Sequence, residues 1–156
     1  MAMELSDEIL IPAPRDRVYA ALNDTAMLQT AIPGCEELIR HSDTELEAKV
    51  VLKIGPVKAR FSGKVTLDQT DAPGGFSLKG EGSGGVAGFA KGGAVVTLED
   101  RGTETLLRYE ASADVGGKIA QLGSRLIAGT AKKLADQFFT TFAAEVTKAE
   151  QPSGTA

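Results

Sequence analysis

Strict alternation between apolar and polar residues over 57–69 is the feature that most constrains the fold of this chain. One parity of the segment carries Val57, Ala59, Phe61, Gly63, Val65 and Leu67. The other carries Lys58, Arg60, Ser62, Lys64, Thr66 and Asp68. Since successive side chains of a strand point to opposite faces, the pattern predicts a strand with one dry and one solvated face. The small residues beside Phe61 leave space, so a curved sheet of such strands would enclose a pocket.

The same period of two extends over about eighty residues and recurs at the N-terminus. Turn residues separate the segments that we predict to be strands, at 3–11, 35–41, 44–54, 57–69, 76–82, 90–99 and 103–115. Half of the 18 glycines lie between Gly74 and Gly93. Glycine inside a strand marks a bulge, a bend or the close approach of a ligand. We therefore expect a concave face lined by small residues, which are Gly80, Gly82, Gly92, Ala94, Ala111 and Ala113.

Helical patterns occupy two other parts of the chain. Pro14 opens a short helix, and a second short helix ends at the turn formed by Pro33 and Gly34. After Gly117 the period becomes helical, which predicts one long helix, bent at Gly123 or Gly129. Its apolar stripe is Ile119, Leu122, Leu126, Ile127, Leu134, Phe138, Phe142 and Val146.

This order of elements predicts an α+β fold of the helix-grip type. A curved antiparallel sheet of about seven strands would wrap around the long C-terminal helix, with two short helices after strand 1. A chain of 156 residues suits one domain with a core and a modest cavity. We expect that ligand-binding domain to span 3–148, and the polar segment 149–156 to be a disordered tail.

Composition excludes several classes of function. A net charge of −4 and a pI near 5.1 argue against a nucleic-acid-binding protein. Cys35 is the only cysteine, so there is no internal disulfide and no metal-type spacing of Cys and His, which favours a reduced, cytoplasmic setting. We find neither an N-terminal leader nor an apolar run long enough to span a membrane. These observations predict a soluble protein with no metal and no nucleic-acid partner.

Few residues are candidates for catalysis. His41 lies beside a predicted turn and is expected at the surface, and Cys35 is expected to be a small buried apolar group. The glycine-rich run at 80–85 lacks the Lys-Ser/Thr ending of a phosphate loop. The Tyr109 hydroxyl would either point into the pocket and bind a carbonyl head group or reach the rim, and these alternatives stay open. Asp7 has inward parity but lies near a strand end, so its position is also open.

Local sequence narrows the fold to a family. The order of elements resembles the START and Bet v 1-like superfamily of ligand-binding domains. The run IPAPRDRVYAALND at 11–24, the turn IPGCE at 32–36, the hairpin IGPV at 54–57 and the segment GEG at 80–82 are similar to the CoxG family of carbon monoxide dehydrogenase proteins. The resemblance covers roughly 3–146, and the IPGCE turn is its most specific part.

The resemblance implies an accessory role. Members of this family are regarded as partners of molybdenum-containing hydroxylases, which they bring to the membrane or connect to the quinone pool. The implied function is non-enzymatic binding of a hydrophobic molecule, a quinone or a lipid, with no other cofactor and with peripheral contact at the inner face of the cell membrane. The residues expected to line the cavity are Phe61, Val65, Phe76, Leu78, Ala94, Val96, Leu107, Tyr109, Ala111, Ile119, Leu122 and Leu126.

Two other functions fit the same scaffold. A polyketide cyclase or dehydratase would need at least two polar groups that converge inside the pocket, such as Tyr109 with Asp7 or a threonine. A pure protein adaptor would instead have a collapsed cavity. Lys132 and Lys133 are expected on a solvated face of the last helix.

Overall fold

A computed structural model of the chain describes residues 2–150, with side chains up to Lys148. Its described residues form one antiparallel sheet of seven strands in the spatial order β1-β7-β6-β5-β4-β3-β2. The strands are β1 (Ala2–Ile11), β2 (Cys35–Ser42), β3 (Glu45–Ile54), β4 (Val57–Asp68), β5 (Gly75–Ser83), β6 (Phe89–Arg101) and β7 (Glu104–Gly116). Strands β2 to β7 follow one another as a meander, and β1 joins the far side of β7.

The short helices follow β1 as the sequence predicts. Helix α1 (Arg15–Leu22) begins after Pro14, whose missing N–H costs nothing at a helix start. Helix α2 (Thr25–Ala31) is capped by Asp24, whose carboxylate accepts hydrogen bonds from the backbone N–H groups of Ala26 at 3.0 Å and Met27 at 3.2 Å.

The C-terminal helix α3 (Ser124–Glu150) is shorter at its start than the sequence pattern predicts. Gly123 has a φ of +97°, which α-helical backbone does not allow, so the helical period is broken there. Lys118–Leu122 forms a separate 3₁₀ helix before this break. Ile119 and Leu122 therefore do not lie on the long helix. Gly129, the other predicted bend, lies within α3.

The solid part of the core lies where α3 covers β1, β7 and β6. Its buried residues include Phe142 and Val146 of α3, Leu98 of β6 and Leu107 of β7. Thr105 is fully buried in this region, and its hydroxyl donates a 2.7 Å hydrogen bond to the carbonyl oxygen of Ala13. That bond fixes the segment between β1 and α1 against the start of β7.

The predicted fold class is confirmed in its sheet, its long final helix and its two early helices. The domain limits of 3–148 stay a prediction. Helix α3 continues to Glu150, while residues 151–156 of the predicted tail lie outside the described residues. None of the helices in the described part of the chain has the length and apolar character needed to cross a membrane.

Candidate ligand-binding cavity

A cavity of about 400 Å³ lies between the concave face of the sheet and the first half of α3. Strands β3 and β4 form one wall, and α3 forms the opposite wall. The residues that line it are Met3, Ile32, Pro33, Ala48, Val50, Leu52, Ile54, Phe61, Gly63, Val65, Gly82, Ala90, Ala113, Val115, Ile119, Ile127, Thr130, Ala131 and Leu134. Many of these side chains are only half-buried although they face inward, which shows that the space beneath the helix is not filled.

Strand register explains the open space. Two neighbouring rows of residues cross the concave face, and both consist mainly of glycine and alanine. The first row is Ala113, Gly92, Gly80 and Val65, and the second is Val115, Ala90, Gly82, Gly63 and Ala48. A row without side chains leaves the helix without contact atoms, so the apolar surface around it remains uncovered. The concentration of glycines in the sequence thus becomes a cavity wall.

The cavity lining is almost entirely apolar. Thr130 is the residue of the described lining that carries a side-chain hydroxyl, and that hydroxyl donates a 2.9 Å hydrogen bond to the carbonyl oxygen of Leu126. Between residues 2 and 150, no group of three His, Cys, Asp or Glu side chains comes together as a metal ligand set. The chemistry that this space offers is the removal of apolar surface from water.

The structure brings only part of the predicted lining to the cavity. Phe61, Val65 and Ile119 lie on its wall. The predicted residues that lie in or against the solid core instead are Phe76, Val96, Leu107 and Tyr109. Those that form the next row across the sheet, opposite Leu5, are Leu78, Ala94 and Ala111. Leu122 and Leu126 lie at the outer end of the cavity, where Leu126 is 39% exposed.

Sequence reasoning missed the β3 side of the wall. Ala48, Val50 and Leu52 alternate with charged or polar positions in the sequence, so their inward parity was visible. What the pattern does not show is that α3 leans toward β1 and α2 and leaves the β3 side uncovered. Ile32 and Pro33, from the turn after α2, also line the cavity, and no periodic signal marks them.

A family model for the carbon monoxide dehydrogenase protein CoxG matches residues 8–147, which is most of the chain. The chain belongs to the CoxG family. Among curated proteins, none matches this chain.

Solved structures support the fold of this CoxG-family chain. A conserved protein from Geobacillus kaustophilus is similar to it with a TM-score of 0.88 and 28% identity, over 94% of this chain and 97% of that one. The Zhui aromatase/cyclase from Streptomyces sp. R1128 gives a TM-score of 0.74 at 9% identity over 100% of both chains. A START superfamily protein from Mycobacterium smegmatis gives 0.71 at 12% identity, over 94% and 98%. The two similarities below 25% identity establish the START-like fold alone.

Tyr109 lies away from the cavity of this CoxG-family chain. Its ring stacks on Phe139 with centroids 5.2 Å apart and an interplanar angle of 17°. The hydroxyl is buried and has no hydrogen-bond partner among the described residues. Burial raises the pKa of this hydroxyl, and the nearby Asp7 carboxylate raises it further. The group therefore stays neutral and belongs to the packed region between β7 and α3.

Asp7 leaves the sheet interior to make an ionic contact. Its carboxylate lies 3.0 Å from the ammonium of Lys132 on α3, and the same ammonium lies 2.7 Å from Asp136. The backbone N–H of Glu8 and the Lys132 ammonium both lower the pKa of Asp7. Lys132 is exposed, but it connects the final helix to the edge strand, a role that its sequence position did not indicate. Asp7 and Tyr109 therefore do not form a converging polar pair inside the cavity.

The two other reactive candidates have ordinary surroundings. The His41 side chain is about half-exposed, and its Nε2 lies 3.5 Å from a carboxylate oxygen of Glu47. Cys35 is partly buried, and its Sγ lies 3.5 Å from the carbonyl oxygen of Glu37. Burial raises the pKa of the Cys35 thiol, which disfavours the nucleophilic thiolate.

Proposed function

We propose that this protein binds a hydrophobic guest, a quinone or a lipid tail, in the cavity under α3. The observation that carries this proposal is a space of about 400 Å³ whose lining is apolar on every side. Sites for small organic molecules typically measure roughly 300–1,000 Å³ and are lined mostly by apolar groups. A guest of this size would remove from water the half-buried surface that Phe61, Val65 and Leu134 now expose to the cavity.

The family supports a role beside a partner enzyme. Membership in the CoxG family is consistent with an accessory protein of a molybdenum hydroxylase of the carbon monoxide dehydrogenase type. We propose that guest binding either brings that hydroxylase to the membrane or connects it to the quinone pool. In both cases the protein itself would carry the guest and leave the redox chemistry to its partner.

The lining favours binding over catalysis. A cyclase or dehydratase needs polar groups held where the substrate reacts. Here the Tyr109 hydroxyl lies in the core, the Asp7 carboxylate contacts Lys132, and the Thr130 hydroxyl is engaged by the backbone of α3. The enzymatic alternative would require at least two other polar groups to turn inward.

A substitution on α3 tests the proposal directly. Ala131 lines the cavity, so Ala131→Leu would place three more carbon atoms inside it. Ala128 is exposed on the other face of the same helix, so Ala128→Leu adds the same atoms outside. We expect the wild type and Ala128→Leu to take up a short-tailed quinone and a fatty acid in calorimetric titrations, and Ala131→Leu to bind at least tenfold more weakly, since lost burial of a few methylenes is worth about that much.

Native mass spectrometry after mild extraction would identify the natural guest. A wild-type protein that carries no guest and takes up neither probe would contradict the guest-binding proposal. For the accessory role, the purified hydroxylase would be assayed for quinone reduction with the wild type or with Ala131→Leu. A rate that depends equally on both variants would show that the cavity plays no part in the coupling.

A further inference from the structure

One end of the sheet combines exposed apolar side chains with unpaired basic ones. We call this end the cavity tip, and it consists of the β3–β4 turn at Gly55, the loop 84–89 and the segment 118–126. The loop 84–89 contains the 3₁₀ helix Gly85–Ala87. All three parts lie at the same end because β3, β5 and β7 run toward it and β4 and β6 start from it.

Close contacts bind the three parts of the tip to the cavity wall. A Cβ added at Gly84 would lie 2.6 Å from the Phe61 ring, which lines the cavity. At Gly88 the nearest side chain is that of Ile119, 3.0 Å from such a Cβ, and Ile119 is also a lining residue. The Leu126 side chain approaches Gly55 to 2.8 Å in the same sense. The tip is therefore the outer side of the cavity's own end wall.

Large apolar side chains project from this end into solvent. Val86 is 93% exposed on its 3₁₀ helix, and Phe89 is 52% exposed at the start of β6. Leu126 is 39% exposed beside them on the first turn of α3. A valine held almost fully in water on a loop with little freedom buries nothing in the free protein. Its contribution must come from something that covers it.

Basic side chains surround these apolar groups. Lys53 and Lys58 are direct cross-strand partners at the β3–β4 turn, where two like charges oppose each other. Lys118 and Arg125 flank the 3₁₀ helix before α3. Within the described residues, none of these four makes an ion pair. The exposed acids of the same end, Glu81 and Asp114, lie on the outer face of the sheet.

The opposite end of the sheet has the other sign. The three hairpin turns there carry Asp43, Asp71 and Asp100. A chain with a net charge of −4 thus concentrates unpaired positive charge around its exposed apolar tip. Such a charge asymmetry orients the tip toward a negatively charged surface and turns the acidic end away.

We propose that the cavity tip docks on an anionic lipid bilayer, with Val86 and Phe89 inserted among the acyl chains and the four basic side chains at the lipid phosphates. A bilayer suits these features because apolar groups enter it singly while lysine and arginine bind its anionic surface. A stable protein interface would need some 20–30 residues on each side, whereas this tip projects three large apolar side chains from a convex end. Docking would place the end wall of the cavity against the membrane that holds the guest.

This inference rests on the proposed guest-binding function for its purpose, but its test is independent. The full chain would be sedimented with phosphatidylcholine vesicles that contain or lack phosphatidylglycerol. We expect binding only to the anionic vesicles, a loss of at least tenfold in Val86→Ser/Phe89→Ser, and a loss of about twenty-fivefold in Lys53→Gln/Lys58→Gln, at roughly fivefold per basic residue.

Two control variants carry the same changes elsewhere. Val95→Ser alters a 54% exposed valine on β6, away from the tip. Lys64→Gln/Lys79→Gln removes two exposed charges farther along β4 and β5. Both controls should bind vesicles as the wild type does. The docking proposal fails if the wild type ignores anionic vesicles, as it would if the tip instead bound a protein, or if Val86→Ser/Phe89→Ser binds them unchanged.

A quinone titration without vesicles separates the two proposals. Val86→Ser/Phe89→Ser should take up the quinone in solution as the wild type does, because neither side chain lines the cavity. If vesicle binding fails while this uptake persists, the docking surface is wrong and guest binding stands. If uptake fails while vesicle binding still depends on the tip, the guest-binding function is wrong and the docking surface stands.

Discussion

Gly82 and Gly92 occupy equivalent positions on the concave face but have different reasons to be glycine. A Cβ at Gly82 would meet nothing closer than the carbonyl oxygen of Ser62 at 3.5 Å, an ordinary contact. A Cβ at Gly92 would collide with the carbonyl oxygen of Ser112 on the neighbouring strand. Gly82 thus keeps cavity volume open, whereas Gly92 permits the close approach that curves the sheet.

The two glycines should respond oppositely to substitution by alanine. Gly82→Ala should be neutral or should raise the free energy of unfolding by up to about 1 kcal/mol, because alanine loses less conformational freedom on folding. Gly92→Ala should lower it by about 1–3 kcal/mol, because β6 and β7 must separate locally to accept the methyl group. Urea unfolding of both variants checks this, and equal effects would contradict the different roles of the two sites.

Residue-level prediction from sequence worked where one property decided the position. Alternation alone placed Phe61 and Val65 on the concave face, and both line the cavity. Tyr109 was also placed inward correctly, but two inward residues of the same sheet can face either the open cavity or the solid core. That choice depends on where α3 lies, and here Phe139 covers Tyr109. Parity cannot supply this information.

At the scale of elements, the contact between α3 and the edge strand β1 decides which part of the sheet is covered. Apolar packing by Phe142 and Val146 provides most of that contact. The pair of Lys132 with Asp7 adds an ionic link at the strand edge. The sequence predicted the apolar stripe of α3 but not this pair, because the residues are 125 positions apart and only the tertiary fold brings them together.

The ionic link should make stability depend on pH in one direction. The pKa of Asp7 is lower in the folded protein than its ordinary value of 3.8, so its contribution is present above 3.8 and is lost as the pH falls through the folded value. We expect Asp7→Asn to be less stable than the wild type at neutral pH, by a small amount since the pair is exposed, and the difference to vanish in acid.

Thermal unfolding across this pH range provides the measurement, with Glu4→Gln as the control. Glu4 is exposed on the same strand and forms no ion pair within the part of the chain that the structure describes. A difference between Asp7→Asn and the wild type that stays constant down to the lowest pH would show that the carboxylate charge is not what matters at this position.

Helix boundaries show a second limit of sequence prediction at this scale. The apolar spacing from Ile119 to Val146 is continuous, yet the backbone interrupts it at Gly123. The sequence marked Gly123 and Gly129 as equal candidates for a bend. The structure separates them through backbone conformation, since Gly123 has a positive φ and Gly129 lies inside the regular helix.

The whole molecule divides into a solid half and a hollow half. Around β1, β7 and β6 the core is filled by aromatic and aliphatic side chains of α3. Around β3, β4 and β5 the small residues of the sheet and the lean of α3 leave the cavity. The sequence predicted the fold class and a concave face poor in side chains. It did not show that the hollow half lies beside β3, because that follows from the docking of the helix as a rigid unit.

Methyl NMR during a quinone titration tests the central claim most directly, since it reports on both halves in one experiment. Val65, Ile127 and Leu134 carry methyl groups on the cavity wall, and Leu98, Leu107 and Val146 carry matched methyl groups in the solid core. We predict saturable shifts of the first set as quinone is added, with the second set nearly unchanged. Shifts spread evenly over both sets, or none in the first, would contradict a guest site under α3.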